Sequence, residues 1–188
     1  MSSTTDGPQH LNNRLFSFRE PQVVVDPEPT VGVIGKKNRV WISIRTGIYA
    51  LVFLGIVLRA IPMIQNRCLW IDEAMLALNL VDRTPRQLLE PLDWNQGAPI
   101  GFLLSVKAAI SIFGASEWAL RLFPFLGSLI GFMAFTWLSR RLLPEQAALL
   151  AVALYAISPS LISYTAECKQ YVTDASLAVV IFCVSLSL

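Results

Sequence analysis

Long apolar runs are the feature of this chain that most restricts its fold. They lie at about residues 41–64, 120–138, 147–164 and 172–188. A membrane-spanning helix needs about 20 mainly apolar residues, and each run approaches or reaches that length. Only 15% of the residues are charged, whereas a soluble domain has roughly 25%. The sequence therefore predicts an all-α fold, a polytopic bundle of transmembrane helices.

The charges around the first apolar run predict its orientation. Lys36, Lys37 and Arg39 precede the run, and no acidic residue follows them before Asp72. Basic residues are enriched on the cytoplasmic side of membrane helices. We therefore expect the N-terminus to lie in the cytoplasm and the segment that follows the first run to lie outside.

Residues 1–40 differ in composition from the rest of the chain. They are polar, with prolines scattered among acidic and basic residues, which predicts a disordered cytoplasmic tail ahead of a membrane domain at residues 41–188. The net charge of +2 is too small to indicate nucleic acid as a partner. The three cysteines have the spacing of neither a disulfide framework nor a metal site.

The segment between the first two runs, residues 65–119, is predicted to be an outer loop. Within it, residues 99–114 are apolar and are compatible with a further span or with a short helix on the outer surface. Lys107 stands at the middle of this stretch, where a charge costs roughly 2.5 to 3.5 kcal/mol in a bilayer. A span here would also place Arg140 and Arg141 outside, against the positive-inside bias. We therefore expect a short surface helix.

Two adjacent carboxylates, Asp72 and Glu73, follow the end of the first run. Acidic residues at the start of a helix can serve only to stabilise the helix dipole. Here, however, apolar residues flank the pair beside a membrane face, so the carboxylates need water, a cation or a substrate as partner. Adjacent helical residues diverge by about 100°. One carboxylate can therefore face a cavity while the other organises the structure.

A second polar cluster precedes the last apolar run. If this stretch is helical, the three-and-four spacing places four residues on one face: Tyr164, Glu167, Tyr171 and Asp174. Lys169 lies between them in the sequence. Such a cluster is typical of an interfacial belt, but ionisable groups at membrane depth also mark functional sites.

Two arginines, Arg59 and Arg121, stand near the outer ends of the first two runs. Snorkelling to the interface is enough to explain each arginine alone. Together with Lys169, they would place cations beside carboxylates. This combination suits a phosphate-bearing substrate.

The order of these motifs resembles that of a known family. Trp70-x-Asp72-Glu73-Ala74 comes first, followed by Gly97-x-Pro99, the stretch Phe113–Leu122, Ser158-Pro159 and Glu167-x-Lys169-x-Tyr171. This series is similar to the N-terminal part of the GT-C glycosyltransferases. The most similar branch is the bacterial group that resembles dolichyl-phosphate-mannose-protein mannosyltransferases and includes the lipopolysaccharide core and aminoarabinose transferases.

The resemblance implies a multi-pass enzyme of the inner cell membrane. Such an enzyme transfers a sugar, with inversion, from a polyprenyl-phosphate carrier to a lipid, glycan or protein acceptor on the outer face. Asp72 would be the catalytic base and Glu73 would support it. The predicted substrate-binding residues are Arg59, Arg121, Glu167, Lys169 and Tyr171, of which Arg121 and Lys169 would lie beside the leaving phosphate. No metal ligand is assigned and no cofactor is required, although the outer carboxylates could hold a divalent cation.

The chain also departs from the family pattern. Lys169 stands where many members have arginine, and lysine keeps the charge without the bidentate geometry. The chain ends inside an apolar run, so we expect a truncated enzyme that is inactive alone. Two alternatives are a polytopic transporter, in which the acids bind ions, and a non-catalytic membrane subunit. No internal repeat of the kind common in transporters is apparent.

Overall fold

The computed structural model describes the backbone of residues 31–188 and the side chains from residue 44 onward. Its α-helices are α1 (Val31–Gln65), α2 (Ile71–Asp82), α3 (Ile100–Phe113), α4 (Glu117–Leu142), α5 (Glu145–Ile157), α6 (Pro159–Ser163) and α7 (Tyr171–Ser185). Short 3-10 turns lie at Gln87–Leu89, Asp93–Asn95 and Tyr164–Ala166. Residues 31–188 contain no strand. The all-α fold is confirmed.

Two of the described helices are long and apolar enough to cross a membrane, Ile44–Gln65 within α1 and Glu117–Leu142. They correspond to the predicted runs at 41–64 and 120–138. Helix α1 begins at Val31 and therefore includes residues 31–40 of the predicted tail. The rest of that tail, residues 1–30, lies outside the described part of the chain.

The predicted run at 147–164 is divided rather than continuous. Helices α5 and α6, with the turn that follows them, form one apolar unit that bends by 52° at Ser158. Pro159 is responsible because it has no backbone N–H, so the carbonyl of Tyr155 finds no partner four residues later. A third membrane crossing would therefore be a broken one. Helices α3 and α7 are apolar but shorter than a usual span.

The connecting segment, residues 66–116, has an apolar core of its own. Leu76 and Leu80 of α2 are fully buried, and they pack with side chains of α3 and with the start of α4. Helix α3 has 14 residues and is therefore about 21 Å long, against about 30 Å for the hydrocarbon core of a bilayer. That α3 lies on the membrane surface stays a prediction.

Lys107 of α3 has a partner within the connecting segment. Its ammonium donates to the carbonyl oxygens of Leu80 at 2.8 Å and Val81 at 3.1 Å. These carbonyls belong to the last turn of α2, where no intrahelical N–H is available. The lysine therefore joins the middle of α3 to the end of α2.

The sequence predicts a helix start at Thr84-Pro85-Arg86-Gln87, with Thr84 as N-cap, and another at Ser116. The two predictions have different outcomes. Ser116 caps α4, since its hydroxyl accepts from the N–H of Ala119 at 3.2 Å. Thr84 and Gln87 make the expected reciprocal bonds, but only a 3-10 turn follows them. The reason is Pro91, because a residue that precedes proline is driven away from the helical conformation.

A second apolar core joins α1, α4 and α5. Its buried members are Phe132, Val152 and Ala156. Gly55 of α1 permits the close approach of Phe132, since a Cβ atom on Gly55 would lie 2.5 Å from the phenyl ring. Helix α7 packs against the opposite part of α4, where Gly127 and Gly131 face it. Helix α4 is therefore the centre of the bundle, and its first turn packs against the connecting segment.

Candidate functional site

Glu73 is the centre of a buried junction between three distant parts of the chain. Its side chain is only 3% exposed. One carboxylate oxygen accepts the N–H of Cys168 at 2.7 Å, and the other accepts the N–H of Trp70 at 3.0 Å and an Nη2 hydrogen of Arg121 at 3.4 Å. The bond to Trp70 also closes the first turn of α2. The acceptor capacity of Glu73 is therefore used to hold the fold together.

Asp72 has the opposite environment. It lies in the first turn of α2, its side chain is exposed, and within residues 44–188 it makes no hydrogen bond or ion pair with protein. By the sequence analysis, one carboxylate of the pair can face a cavity while the other organises the structure. In the structure Glu73 organises the fold, and Asp72 is exposed.

Arg121 is fully buried in the first turns of α4. Its Nη1 donates to the carbonyl oxygen of Arg67 at 2.6 Å, and its Nη2 donates to Glu73. The Nε atom is buried and has no hydrogen-bond partner among the described residues. Arg121 therefore anchors the end of α1 and the start of α2 to α4.

Glu167 does not lie on a helix, and the common helical face predicted for residues 164–174 is wrong. The backbone of Glu167 is extended, with φ −118° and ψ 136°, and α7 begins only at Tyr171. The extended turn has a physical reason, because it directs the N–H of Cys168 to Glu73 instead of to a helical carbonyl. Two members of the predicted face still meet, since the rings of Tyr164 and Tyr171 lie 5.3 Å apart.

Glu167 pairs with Arg67, a residue that the sequence analysis did not select. Their Oε1 and Nη2 atoms lie 3.1 Å apart. Burial raises the pKa of the Glu167 carboxyl, the nearby Glu73 carboxylate raises it further, and Arg67 lowers it. Burial also raises the pKa of the Cys168 thiol to about 12, so this thiol stays protonated near neutral pH. Arg67 could have been noticed as the basic residue nearest to the Trp-x-Asp-Glu motif.

Lys169 contacts the connecting segment through Gln96. Its ammonium donates to the side-chain oxygen of Gln96 at 2.8 Å. The amide nitrogen of Gln96 in turn approaches the sulfur of Met75 at 3.8 Å. Met75 is three residues after Asp72 and so shares a side of α2 with it. Gln96 therefore connects the predicted phosphate-binding lysine to the helix that carries Asp72.

Arg59, also predicted to bind substrate, lies in the other core. It is fully buried. Its Nε donates to Ser128, and its Nη groups donate to the carbonyl oxygens of Gly55, Tyr155 and Ala156 at 3.0 to 3.3 Å. The carbonyl of Tyr155 is the one that Pro159 leaves without a helical partner. Arg59 thus stabilises the break between α5 and α6.

The predicted site residues consequently divide into two groups. The structure brings Asp72, Glu73, Arg121, Glu167 and Lys169 to one end of α4, with Tyr171 at the start of α7, whereas Arg59 bonds elsewhere. Within residues 44–188, no group of three or more His, Cys, Asp or Glu side chains is arranged to hold a metal ion. Gln96 and Gly97 also line an open cavity of about 390 Å³ beside α3.

Comparison with known families gives one match. Residues 97–188 match the family model of dolichyl-phosphate-mannose-protein mannosyltransferases. The resemblance to the GT-C superfamily is thereby supported. In general terms the match indicates a GT-C-type membrane glycosyltransferase. Arg121, Glu167, Lys169 and Tyr171 lie inside the matched residues.

The remaining GT-C-like residues of the site, Asp72 and Glu73, precede the matched part. They are linked to it physically, through the contacts of Glu73 with Arg121 and with Cys168. Neither the curated proteins nor the solved structures contain a match.

Proposed function

We propose that this protein transfers a sugar from a polyprenyl-phosphate carrier to a lipid, glycan or protein acceptor on the outer face of the inner cell membrane. The proposal places the N-terminus in the cytoplasm and the connecting segment outside, as the charge distribution predicts. One observation carries it: Asp72 is exposed and has no partner among the side chains of residues 44–188, it lies beside a fully engaged Glu73, and its helix is linked to Lys169 through Gln96. The match over residues 97–188 supports the general activity.

In the proposed reaction, Asp72 is the general base. Its carboxylate accepts the proton of an acceptor hydroxyl while that oxygen bonds to the anomeric carbon of the sugar. The bond between this carbon and the phosphate oxygen breaks, and the phosphate leaves with the electron pair. A single displacement of this kind inverts the anomeric carbon. The exposure of Asp72 supports this role, because an acceptor must be able to reach the carboxylate.

Lys169 is the proposed partner of the leaving phosphate. Its present ligand, the side-chain oxygen of Gln96, is neutral. An ammonium has three N–H donors, so Lys169 can bind phosphate oxygens as well as Gln96. A cation placed where negative charge develops stabilises the transition state. Tyr171, which is half exposed at the start of α7, is proposed to contact the substrate in the same region.

Glu73 and Arg121 are proposed as positioning residues. Both are buried, and the polar contacts recorded for both are with protein groups. They fix the first turn of α2 and the Cys168 turn relative to α4. Asp72 lies within that first turn, and Lys169 directly follows Cys168 in the sequence. The junction therefore sets the positions of the proposed base and the proposed cation. In this proposal the carboxylate of Asp72 takes part in the reaction, and the carboxylate of Glu73 is structural.

The replacement Asp72→Asn tests the proposal. Full-length protein in membranes that contain dolichyl-phosphate mannose and dolichyl-phosphate glucose should transfer labelled sugar to an endogenous acceptor. The replacement keeps the size of the side chain but removes the base, so transfer should fall by about 10²–10⁴-fold. Thermal unfolding in detergent should change only slightly, because Asp72 makes no hydrogen bond or ion pair among the described residues and the variant loses only the interaction of its charge with the helix dipole.

The matched control is Asp82→Asn, which neutralises an exposed carboxylate at the other end of the same helix. This variant should transfer sugar as the wild type does. Wild-type turnover in Asp72→Asn would remove Asp72 from the mechanism. Movement of solutes without any sugar transfer would instead favour a transporter.

A further inference from the structure

The turn at Asp93–Asn95 has an unusual backbone. Trp94 and Asn95 both have positive φ, 57° and 55°. Asparagine adopts this left-handed conformation fairly readily, but a bulky residue such as tryptophan rarely does. Strain of this kind persists only where the surrounding structure holds it, and it is frequent at ligand sites.

Two residues at the end of α2 hold this turn through Asp93. Asn79 of α2 is 1% exposed and makes a reciprocal pair of bonds with Asp93, accepting its N–H at 2.9 Å and donating to its carbonyl at 3.5 Å. The side chain of Asp93 also pairs with Arg83 at 3.0 Å. A buried asparagine and an ion pair thus fix the residue that immediately precedes Trp94.

The same turn reaches the proposed active site. Gln96, two residues after Trp94, is the residue that contacts both Lys169 and Met75. Its amide nitrogen also donates to the carbonyl oxygen of Trp94 at 3.5 Å. The indole of Trp94 is nevertheless left 52% exposed. The fold therefore constrains the backbone of a tryptophan without burying its ring, close to the lysine proposed to bind phosphate.

We propose that Trp94 is a sugar-binding residue that stacks on the sugar of the lipid-linked donor. This inference rests on the proposed function, because it takes Lys169 as the phosphate partner. The sugar is bonded to that phosphate, and Trp94 is two residues from Gln96, whose side-chain oxygen accepts from Lys169. The C–H groups on a sugar face carry partial positive charge, and the indole face carries the negative part of the ring quadrupole. The two surfaces are complementary.

An anchor at the membrane interface is the other common use of an exposed tryptophan. Such an anchor needs only to reach the interface, and it gains nothing from a fixed left-handed backbone. The clamp formed by Asn79 and Arg83 therefore favours a residue that must present its ring in one orientation. The two uses also predict different results in binding experiments, because a stacking residue strengthens binding only when the lipid carries a sugar, whereas a membrane anchor does not distinguish a lipid with a sugar from one without.

The replacement Trp94→Leu in an Asp72→Asn background tests the inference, because turnover is then suppressed. Binding to the full-length protein in detergent is measured with dolichyl phosphate, dolichyl-phosphate mannose and dolichyl-phosphate glucose. Without Trp94→Leu, at least one sugar-bearing lipid should bind more tightly than dolichyl phosphate. Trp94→Leu should weaken the binding of that lipid by about two- to tenfold, the order expected when an aromatic stacking partner is lost, and leave dolichyl phosphate unchanged.

Two further variants separate ligand binding from folding. Trp94→Gly removes the indole and the backbone strain together, since glycine adopts positive φ readily. It should lose sugar discrimination as Trp94→Leu does, while its thermal stability is equal to or above that of wild type. Trp137→Leu removes a tryptophan of similar exposure near the far end of α4 and should leave all three affinities unchanged.

The outcomes also separate this inference from the proposed function. Binding of none of the three lipids by the parent protein would contradict the proposed donor class and the inference with it. Equal affinity for all three would remove the sugar subsite, and the proposed function would survive if transfer still depends on Asp72. A loss of affinity in Trp94→Leu that is the same for dolichyl phosphate would assign Trp94 to the lipid or the interface and overturn the inference.

Discussion

Two buried arginines, Arg59 and Arg121, show how differently the same side chain can be used in one bundle. Both are completely buried, and the sequence suggested the same substrate-binding role for both. Arg59 donates to carbonyl oxygens and a hydroxyl, which are neutral groups. Arg121 donates to a carbonyl and to the Glu73 carboxylate. Arg59 supplies hydrogen-bond donors to carbonyl oxygens at the break between α5 and α6, and Arg121 neutralises the buried carboxylate of Glu73.

This difference matters because an unpaired charge costs far more to bury than an unpaired carbonyl. Arg59 lies under the ring of Phe132 at 4.5 Å, within a core made by membrane helices. Arg121 lies where the connecting segment meets α4. The buried ion pair of Arg121 with Glu73 therefore lies at the proposed active site, whereas the guanidinium of Arg59 is stabilised by carbonyl groups and by the ring of Phe132.

The largest effect should come from Arg121→Met. This change leaves the buried Glu73 without its cation, and removal of one partner of a buried pair costs about 3–5 kcal/mol. Arg59→Met is the matched variant. It removes a donor only from neutral oxygen atoms, three carbonyls and the Ser128 hydroxyl, so its loss of unfolding free energy should be smaller, about 1–3 kcal/mol. Thermal unfolding of the two variants in detergent gives the comparison.

A second change should restore the Arg121 variant. Glu73→Gln in the Arg121→Met background removes the unpaired carboxylate, so the double variant should be more stable than Arg121→Met alone. Equal stability of the Arg59→Met and Arg121→Met variants, with no recovery in the double variant, would contradict the distinction between the two arginines.

An intermediate effect is expected from Gly55→Ala, which tests the Arg59 side of the comparison. The added methyl would lie 2.5 Å from the ring of Phe132, the ring on which Arg59 stacks. Overpacking of this kind costs about 1–3 kcal/mol. Gly101→Ala is the control, because no atom lies within 4 Å of the added methyl. A midpoint of unfolding for Gly55→Ala as high as that of Gly101→Ala would show that α1 and α4 can separate at little cost.

The smallest effect concerns the Arg67–Glu167 pair, whose side chains are 39% and 19% exposed. The pKa of Glu167 in the folded protein is raised above its ordinary value of 4.5. The folded state therefore holds the proton to higher pH than the unfolded state does, and the associated stability is present below pH 4.5 and lost as pH rises through the folded pKa. Relative to Glu167→Gln, wild type should gain stability as the pH is lowered across this window.

The measurement is the thermal unfolding midpoint of both proteins between neutral pH and pH 4.5. A difference between them that does not change with pH would show that Glu167 is as acidic in the fold as in the unfolded chain. If wild type instead loses stability relative to Glu167→Gln as the pH is lowered, Arg67 lowers the pKa of Glu167 by more than burial raises it.

Local patterns in the sequence were sufficient for α1, α2 and α4 and for the place of the acidic pair. Apolar runs predicted α1 and α4, Ser116 predicted the start of α4, and Asp72 with Glu73 predicted the start of α2. These features depend on residues a few positions apart, since helical hydrogen bonds and caps join near neighbours. The order of the motifs was also enough for the GT-C resemblance that residues 97–188 support.

Tertiary structure alone decided which carboxylate is exposed, what each arginine binds, and why residues 167–170 leave the helix. Glu73 is buried because its partners, Arg121 and Cys168, come from 48 and 95 residues away. No periodic pattern encodes such contacts. The sequence by itself placed two adjacent acids at a helix start; long-range burial and pairing then left Asp72 open and enclosed Glu73.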